Sequence, residues 1–495
     1  MSGKSIDLTA PVVGPPPVAG PPGGGRRVAV IGGGLAGITA ALRLADAGRE
    51  VTLYERRTVL GGLTHSFRRG ELDVDNGQHV FLRCCTSYRA LLDRLGVAGK
   101  VALQRRLDIP IRSPLATREA SRERSRSRGV AEASTPTQAR LRRTALPAPL
   151  HLGASLMRYP LLDAGQRLRF IRAALALRRV DRTDPATDAR AFGDWLREHG
   201  QDARTVAAMW DLVGIATLNA PAERASLALA AMVFQVGLLT DAGAADIGWS
   251  LVPLGELHGE AASRCLREAG ARVVTGNRVG RIEPRGHGWL VGVGGEEHVV
   301  DQVVLAVPPP VAEGLLPPGS VPMPPGWSAR LGSSPIVNAH VVLDRRVMSE
   351  PFVAGVGTPV QWVFDRTVQS GLTGGGQYLA MSLSAADELI DVPVGTLRER
   401  LLPELVALLP QAASATVLDF FVSRERHATF RPEPGSGALR PRTRAAVPGL
   451  FLAGAWTDTG WPATMEGAVR SGDAAAEAVL AGAPSVQASR AGGGA

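Results

Sequence analysis

The sequence predicts an α/β fold built on a nucleotide-binding βαβ unit, and two stretches at opposite ends of the chain predict it. Near the start, RRVAVIGGGLAGITAALRLADAGREVTLYERR reads as strand, helix and strand. Near the end, LFLAGAWTDTGWPATMEGAVRSGDAAAEAVL reads as an apolar strand, a glycine turn and a helix rich in small residues. With 495 residues the chain is too long for one compact core, so two domains, successive or interleaved, are expected.

In the first stretch, Val28 to Ile31 is a short apolar run that ends in glycines. Gly32, Gly34 and Gly37 then match G-x-G-x-x-G, giving a tight turn, a backbone that can approach a pyrophosphate and a close helix-to-strand contact. Leu35 and Ala36 open the helix, whose free N–H groups and positive dipole end suit a phosphate. Glu55 closes the second strand, where a carboxylate accepts hydrogen bonds from an adenosine ribose, with Arg56 beside it. The glycine pattern is weak by itself. With strand, helix and acid in place it predicts a Rossmann-like unit and a dinucleotide ligand.

The next segment, ELDVDNGQHVFLR from Glu71 to Arg83, breaks the alternation of a half-buried strand. Leu72 and Val74, then Val80 and Leu82, keep a period of two, but Asp75, Asn76, Gly77, Gln78 and His79 interrupt it, so something polar is expected nearby. At the other end, a helix follows Pro462, with Thr464 as a potential cap.

Composition excludes several classes. The net charge of +9 comes almost wholly from Arg, with Lys only at positions 4 and 100, and no stacking or zinc-finger signature accompanies it, so nucleic acid is not expected as a partner. Cys84, Cys85 and Cys265 show no CxxC spacing and suit a reducing cytoplasmic setting, and the nine histidines show no paired spacing for a metal. Residues 1–25 read as a disordered Pro/Gly-rich leader, 112–145 as a disordered Arg/Ser-rich insert and 483–495 as a flexible tail. The uncharged run Ala225 to Thr240 is short of a membrane span and reads as a buried helix. Leu156 to Arg182 mixes apolar residues with seven Arg, Arg167, Arg169 and Arg172 among them, as an interfacial helix on anionic lipid would.

After Glu55 the chain continues RRTVLGG, and the layout of acid, Gly61-Gly62 and then D-x-G resembles the FAD-dependent amine oxidases and phytoene desaturases. Leu63 stands where many members carry Arg, and Ala455 stands after Gly454 where the family usually has an Asp on the ribityl chain, leaving Asp458 as the nearest carboxylate. More specifically, DNGQHV (75–80), WDLVGIATLN (210–219), QWVFDR (361–366), ERHATF (425–430) and TGWPATMEGAVRSG (459–472) resemble hydroxysqualene dehydroxylases, from Arg26 to Leu480. The resemblance implies a discontinuous Rossmann-like FAD-binding domain of the GR2 type in three pieces, 26–111, 250–320 and 441–482. It also implies an interleaved α+β substrate-binding domain from 146–249, largely helical, and 321–440. It places Gly77, Gln78, Ala463, Thr464 and Met465 at the flavin and Val279, read as the end of a strand, at the adenine.

The activity implied is reductive removal of an allylic hydroxyl from a C30 isoprenoid, giving squalene. His79 is the first candidate for acid or hydroxyl anchor, with Asn219 and Glu466 behind it, and Trp210, Trp362, Phe364 and Trp461 are candidate aromatic faces. Each has a plainer reading: a backbone hydrogen bond for His79, a helix first-turn carboxylate for Glu466, core packing for the tryptophans. Carotenoid desaturation or isomerisation is the alternative reaction. Amine oxidation is disfavoured because no Lys follows position 100, and a non-enzymatic flavin carrier is the remaining alternative.

Overall fold

The computed structural model describes residues 27–114 and 135–481. Five strands form one parallel sheet in the order Arg272–Thr275, Glu50–Glu55, Arg27–Ile31, Gln302–Leu305, Leu450–Leu452. Its strands come from the beginning, middle and end of the chain. Val28 and Val30 pack with the helices Leu35–Asp46 and Met465–Ala481, while Ala29 and Ile31 pack on the opposite face with Val279 and Val291. Burial on both faces explains why these strands are continuously apolar. The two helices touch closely: a Cβ on Gly472 would lie 2.3 Å from the carbonyl oxygen of Ala36.

A second sheet has seven strands in the order Val417–Thr429, Ser334–Leu343, Gln377–Ser384, Trp362–Asp365, Phe352–Gly355, Asp108–Ser113, Thr137–Arg142. It is antiparallel except for the parallel pair Phe352–Gly355 and Asp108–Ser113. The last strand corrects the expected insert over 112–145. Thr137–Arg142 pairs along the whole of Asp108–Ser113, with Ile109 opposite Leu141, so both ends of that segment are ordered sheet. The alternate apolar positions Ala139 and Leu141 are the signal that the Arg content masked. Residues 115–134, the leader 1–25 and the tail 483–495 lie outside the described residues.

Other expectations shift as well. The interrupted strand at 71–83 is two strands in two sheets: Leu72–Asp75 pairs with Ser66–Arg69, and Val80–Leu82 pairs with Ile247–Ser250. Asn76 to His79 is the crossing between them. The strand expected to end near Val279 ends at Thr275, and Val279 opens a separate three-stranded antiparallel sheet. Leu156 to Arg182 is not one helix. A short helix Gly153–Met157 is followed by a break and then Ala164–Leu177, started by a capping box in which Asp163 and Gln166 exchange hydrogen bonds. Arg167 donates to the carbonyls of Met157 and Tyr159, and Arg169 pairs with Asp202, so two of the three arginines hold the break and the neighbouring helix in place. Within Ala225 to Thr240, Leu227–Phe234 is a helix with every residue buried. No helix among the described residues is long and apolar enough to cross a membrane.

Candidate functional site

The glycine loop forms a cradle. Gly32 has φ +110, and a Cβ there would lie 2.3 Å from the Ala306 carbonyl oxygen, so only glycine makes this turn. A Cβ on Gly37 would lie 1.8 Å from the oxygen of Gly32, which fixes the close approach of helix to strand. Gly34 differs: the nearest atom to its would-be Cβ is the Gly62 Cα at 3.8 Å, so space is open there. From the other side a Cβ on Gly62 would lie 2.8 Å from the Gly34 Cα, and Gly61 N donates to Gly33 O at 2.8 Å. Gly34 is the N-cap of helix Leu35–Asp46, contributes no side-chain cap, and no acidic residue sits in the first turn. The first-turn N–H groups at Leu35 and Ala36 are thus left for an anion. This open, uncapped cradle fits a dinucleotide diphosphate.

Glu55 is buried and holds the loop from below, accepting from Gly33 N at 2.7 Å through one oxygen and from Arg57 N at 2.8 Å through the other. Each oxygen keeps a further lone pair for a ribose hydroxyl. Asn277 N donates to the Glu55 backbone oxygen at 3.2 Å, which brings Val279, two residues on, to the same end of the sheet. Arg56 is exposed, whereas Arg57 turns inward and donates to Gly62 O at 3.0 Å. The guanidinium beside the paired glycines is therefore that of Arg57, a residue the motif reading passed over.

At the C-terminal end, Gly454 N donates to Ser471 Oγ at 2.7 Å, and Gly467 N donates to Thr464 Oγ1 at 3.1 Å, so Thr464 caps helix Met465–Ala481. Ala463 and Met465 are half-buried beside it. Asp458 is exposed, with its backbone N–H on Pro441 O. The turn is held instead by Arg440, whose guanidinium is buried and donates to Thr457 O at 2.6 Å and Trp461 O at 2.7 Å. Burial lowers Arg440 to about 10.

The polar crossing sits between the nucleotide-binding sheet and the seven-stranded sheet. Asp75 is a buried node: it accepts from Ser66 Oγ at 2.6 Å, from Leu254 N at 2.9 Å and from the Arg366 guanidinium. Two of the segments singled out by sequence thus meet in one ion pair. Gly77 is buried, and His79 lines a cleft with Gln78, Trp249, Pro351, Phe364 and Arg366. His79 Nδ1 lies 3.1 Å from Gly77 O, so a neutral ring donates there and leaves Nε2 as an acceptor. Burial lowers its pKa, which favours that neutral form. Trp362 stacks against Phe364 at 6.1 Å. Trp249, not foreseen, completes the aromatic wall, and its place opposite Val80 is legible only once the pairing of Val80–Leu82 is known.

Three candidates lie elsewhere. The Glu466 carboxylate accepts from Ser87 N at 3.2 Å, Tyr88 N at 2.7 Å and Arg470 Nε at 2.7 Å, so it caps the helix Thr86–Arg94. Asn219 stands at φ 58 at a helix end, and its amide binds Ser334 O, Thr429 Oγ1 and Ala385 N. Trp210 is a core residue, packed on Phe170, Phe192 and Phe234 with its N–H on Gln201. Each is fully committed to packing or backbone. Trp461 is half-buried under the guanidinium of Arg470.

Behind the crossing, His340 is buried between Tyr378 Oη at 2.7 Å and Ser423 Oγ at 2.9 Å, and burial lowers its pKa to about 3. Between that value and its ordinary 6.5 the unfolded chain binds a proton that the folded chain refuses. Stability from His340 is therefore present above pH 6.5 and lost as pH falls toward 3. Asp211 and Asp473, raised to about 6, act in the opposite sense, so the comparison must be between variants. His340→Gln should flatten the stability profile by about 1.4 kcal/mol per pH unit in that window, measured by urea unfolding from pH 6.5 to 4.5.

The fold and the cradle define a flavoprotein oxidoreductase with a discontinuous Rossmann-like domain. A model of the flavin containing amine oxidoreductase family matches residues 35–480, and the chain belongs to that family. Its cofactor is FAD. The chain is 30% identical over 472 residues to hydroxysqualene dehydroxylase of Rhodopseudomonas palustris, covering 92% of this chain and 99% of that protein. It is 24% identical over 497 residues to zeta-carotene desaturase of Synechocystis, covering 92% and 97%. Among solved structures, putrescine oxidase bound to putrescine superposes with a TM-score of 0.66 at 19% identity, covering 92% of this chain and 99% of that one.

Proposed function

We infer that the protein reduces hydroxysqualene to squalene, and the observation that carries this reading is the end-to-end 30% identity with hydroxysqualene dehydroxylase. The absence of Lys after position 100 and the Trp249 and Phe364 rings in the cleft, with Trp362 stacked behind Phe364, support an apolar substrate over an amine. In this reading the Gly32–Gly37 loop, Gly61, Gly62 and Arg57 hold the pyrophosphate, Glu55 the ribose and Val279 the adenine. When bound, reduced FAD would supply the hydride that replaces the hydroxyl on carbon, and the hydroxyl would leave with the C–O electron pair and take a proton from solvent to become water. His79 Nε2, an acceptor in the neutral ring, anchors the substrate hydroxyl. Phe364 and Trp249 exclude water and face the allylic carbon.

Anaerobic incubation of photoreduced enzyme with hydroxysqualene should reoxidise the flavin and yield squalene, with phytoene as the control substrate. Squalene absent and phytoene desaturated by the oxidised enzyme would reverse the assignment. His79→Phe should keep FAD and slow single-turnover reoxidation by roughly tenfold, as loss of one anchoring hydrogen bond does. A loss of a hundredfold or more would return the acid role to His79. An insoluble substrate also needs a lipid surface, and exposed Leu146, Leu150 and Met157 are the contact in this reading. Replacing all three by Ser should reduce sedimentation with anionic vesicles, with thermal stability unchanged.

A further inference from the structure

Buried polar atoms nearly always have a hydrogen-bond partner, and one without marks strain, a ligand or a bound water. Two such atoms belong to touching residues where the seven-stranded sheet covers the polar crossing: Asn76 Oδ1 and Asn338 Oδ1 are both buried with no partner. Their residues are 8% and 0% exposed. Asn338 Nδ2 donates to the Asn76 carbonyl oxygen at 3.3 Å, which fixes the amide: the nitrogen faces an acceptor, so the free atom is oxygen. Ser423 Oγ, held by His340, donates to the same carbonyl at 3.1 Å. The pair is next to the cleft, since a Cβ on Gly77 would lie 3.1 Å from His79 Cε1 and 3.8 Å from Asn338 Nδ2.

We propose that Asn76 and Asn338 form an acceptor pair for an O–H group at this seam, supplied by the substrate hydroxyl or by an ordered water. The proposal rests on the dehydroxylation reading above. An alcohol offers one O–H for His79 Nε2 and the two amide oxygens to share, but the same oxygen protonated for departure offers two. Two acceptors therefore bind the departing water more strongly than the resting alcohol, and only an interaction that strengthens on the way to the transition state lowers the barrier. Both groups are uncharged and already in place, so they need no reorganisation as the C–O bond breaks. Asn338 is a substrate-binding residue here and His340 a positioning residue, acting through Ser423.

The test uses oxidised holoenzyme, with hydroxysqualene and squalene as probes in detergent micelles and the flavin absorbance shift as the readout. Asn338→Ala at full flavin content should lower the preference for alcohol over hydrocarbon by roughly threefold to tenfold and leave squalene binding unchanged. Asn338→Ser serves if the alanine variant does not fold. A crystal structure of wild-type holoenzyme supplies the second arm, where a water bonded to both Oδ1 atoms supports the pair with water as its occupant. An unchanged alcohol preference together with no oxygen atom at the pair overturns the proposal. Wild type that binds phytoene and not hydroxysqualene sinks the dehydroxylation reading instead, and the crystal structure alone then decides the pair.

Discussion

Gly34→Asp should give a folded protein without its yellow colour. The backbone at Gly34 has φ -78 and ψ 178, an extended conformation open to any residue, and its Cβ direction meets nothing nearer than 3.8 Å, so the chain accepts the side chain. Asp is moreover a favoured N-cap, and helix Leu35–Asp46 lacks one, so the apoprotein should be as stable as wild-type apoprotein or more so. Against the diphosphate the same carboxylate is a like charge at contact. At about 4 Å and an effective dielectric near 20, each such pair costs about 4 kcal/mol, roughly a thousandfold in affinity. The measurement is flavin stoichiometry by absorbance beside the melting curve of apoprotein. Stoichiometric flavin in this variant would remove the phosphate role from the cradle.

Gly34 and Arg57 show how far the sequence reaches. Gly34 is legible because a phosphate loop is local: strand, turn, helix and acid lie within residues 27–55, and each glycine answers a backbone requirement that a motif encodes. Arg57 was missed for Arg56 because neighbouring residues on a turn differ only in direction, which spacing does not encode. Glu466 and Asn219 were candidates because they stand in two of the motifs that carry the resemblance. Their partners, Tyr88 N and Ser334 O, lie 378 and 115 residues away, so the backbone need they answer was invisible. Asn338 and His340 did leave a trace, two polar residues at a period of two inside SPIVNAHVVL, a strand that after its first residue is otherwise apolar. The two ends of the expected insert, 112–113 and 137–142, were misjudged because Arg content outweighed a short alternation that only pairing with Asp108–Ser113 makes stable.

Arg366→Met should be the most destabilising single change at the seam. The Arg366 side chain is 10% exposed and that of Asp75 4%, so removing the guanidinium leaves a carboxylate in a site closed to water. Ser66 Oγ and Leu254 N still donate to it, but neither carries charge. Breaking a buried pair from one side costs about 3–5 kcal/mol. The loss spreads beyond the pair, because Asp75 ends one strand and begins the crossing that carries Asn76, Gly77 and His79, while Arg366 follows a strand of the seven-stranded sheet. Thermal unfolding of the variant should therefore start at a lower temperature, with flavin fluorescence released early. Asp75→Asn with Arg366→Met leaves no charge unpaired, so the double variant should lose less stability than the two single variants added together. Additive losses would mean that the two side chains act separately and that the seam is held by its backbone contacts alone.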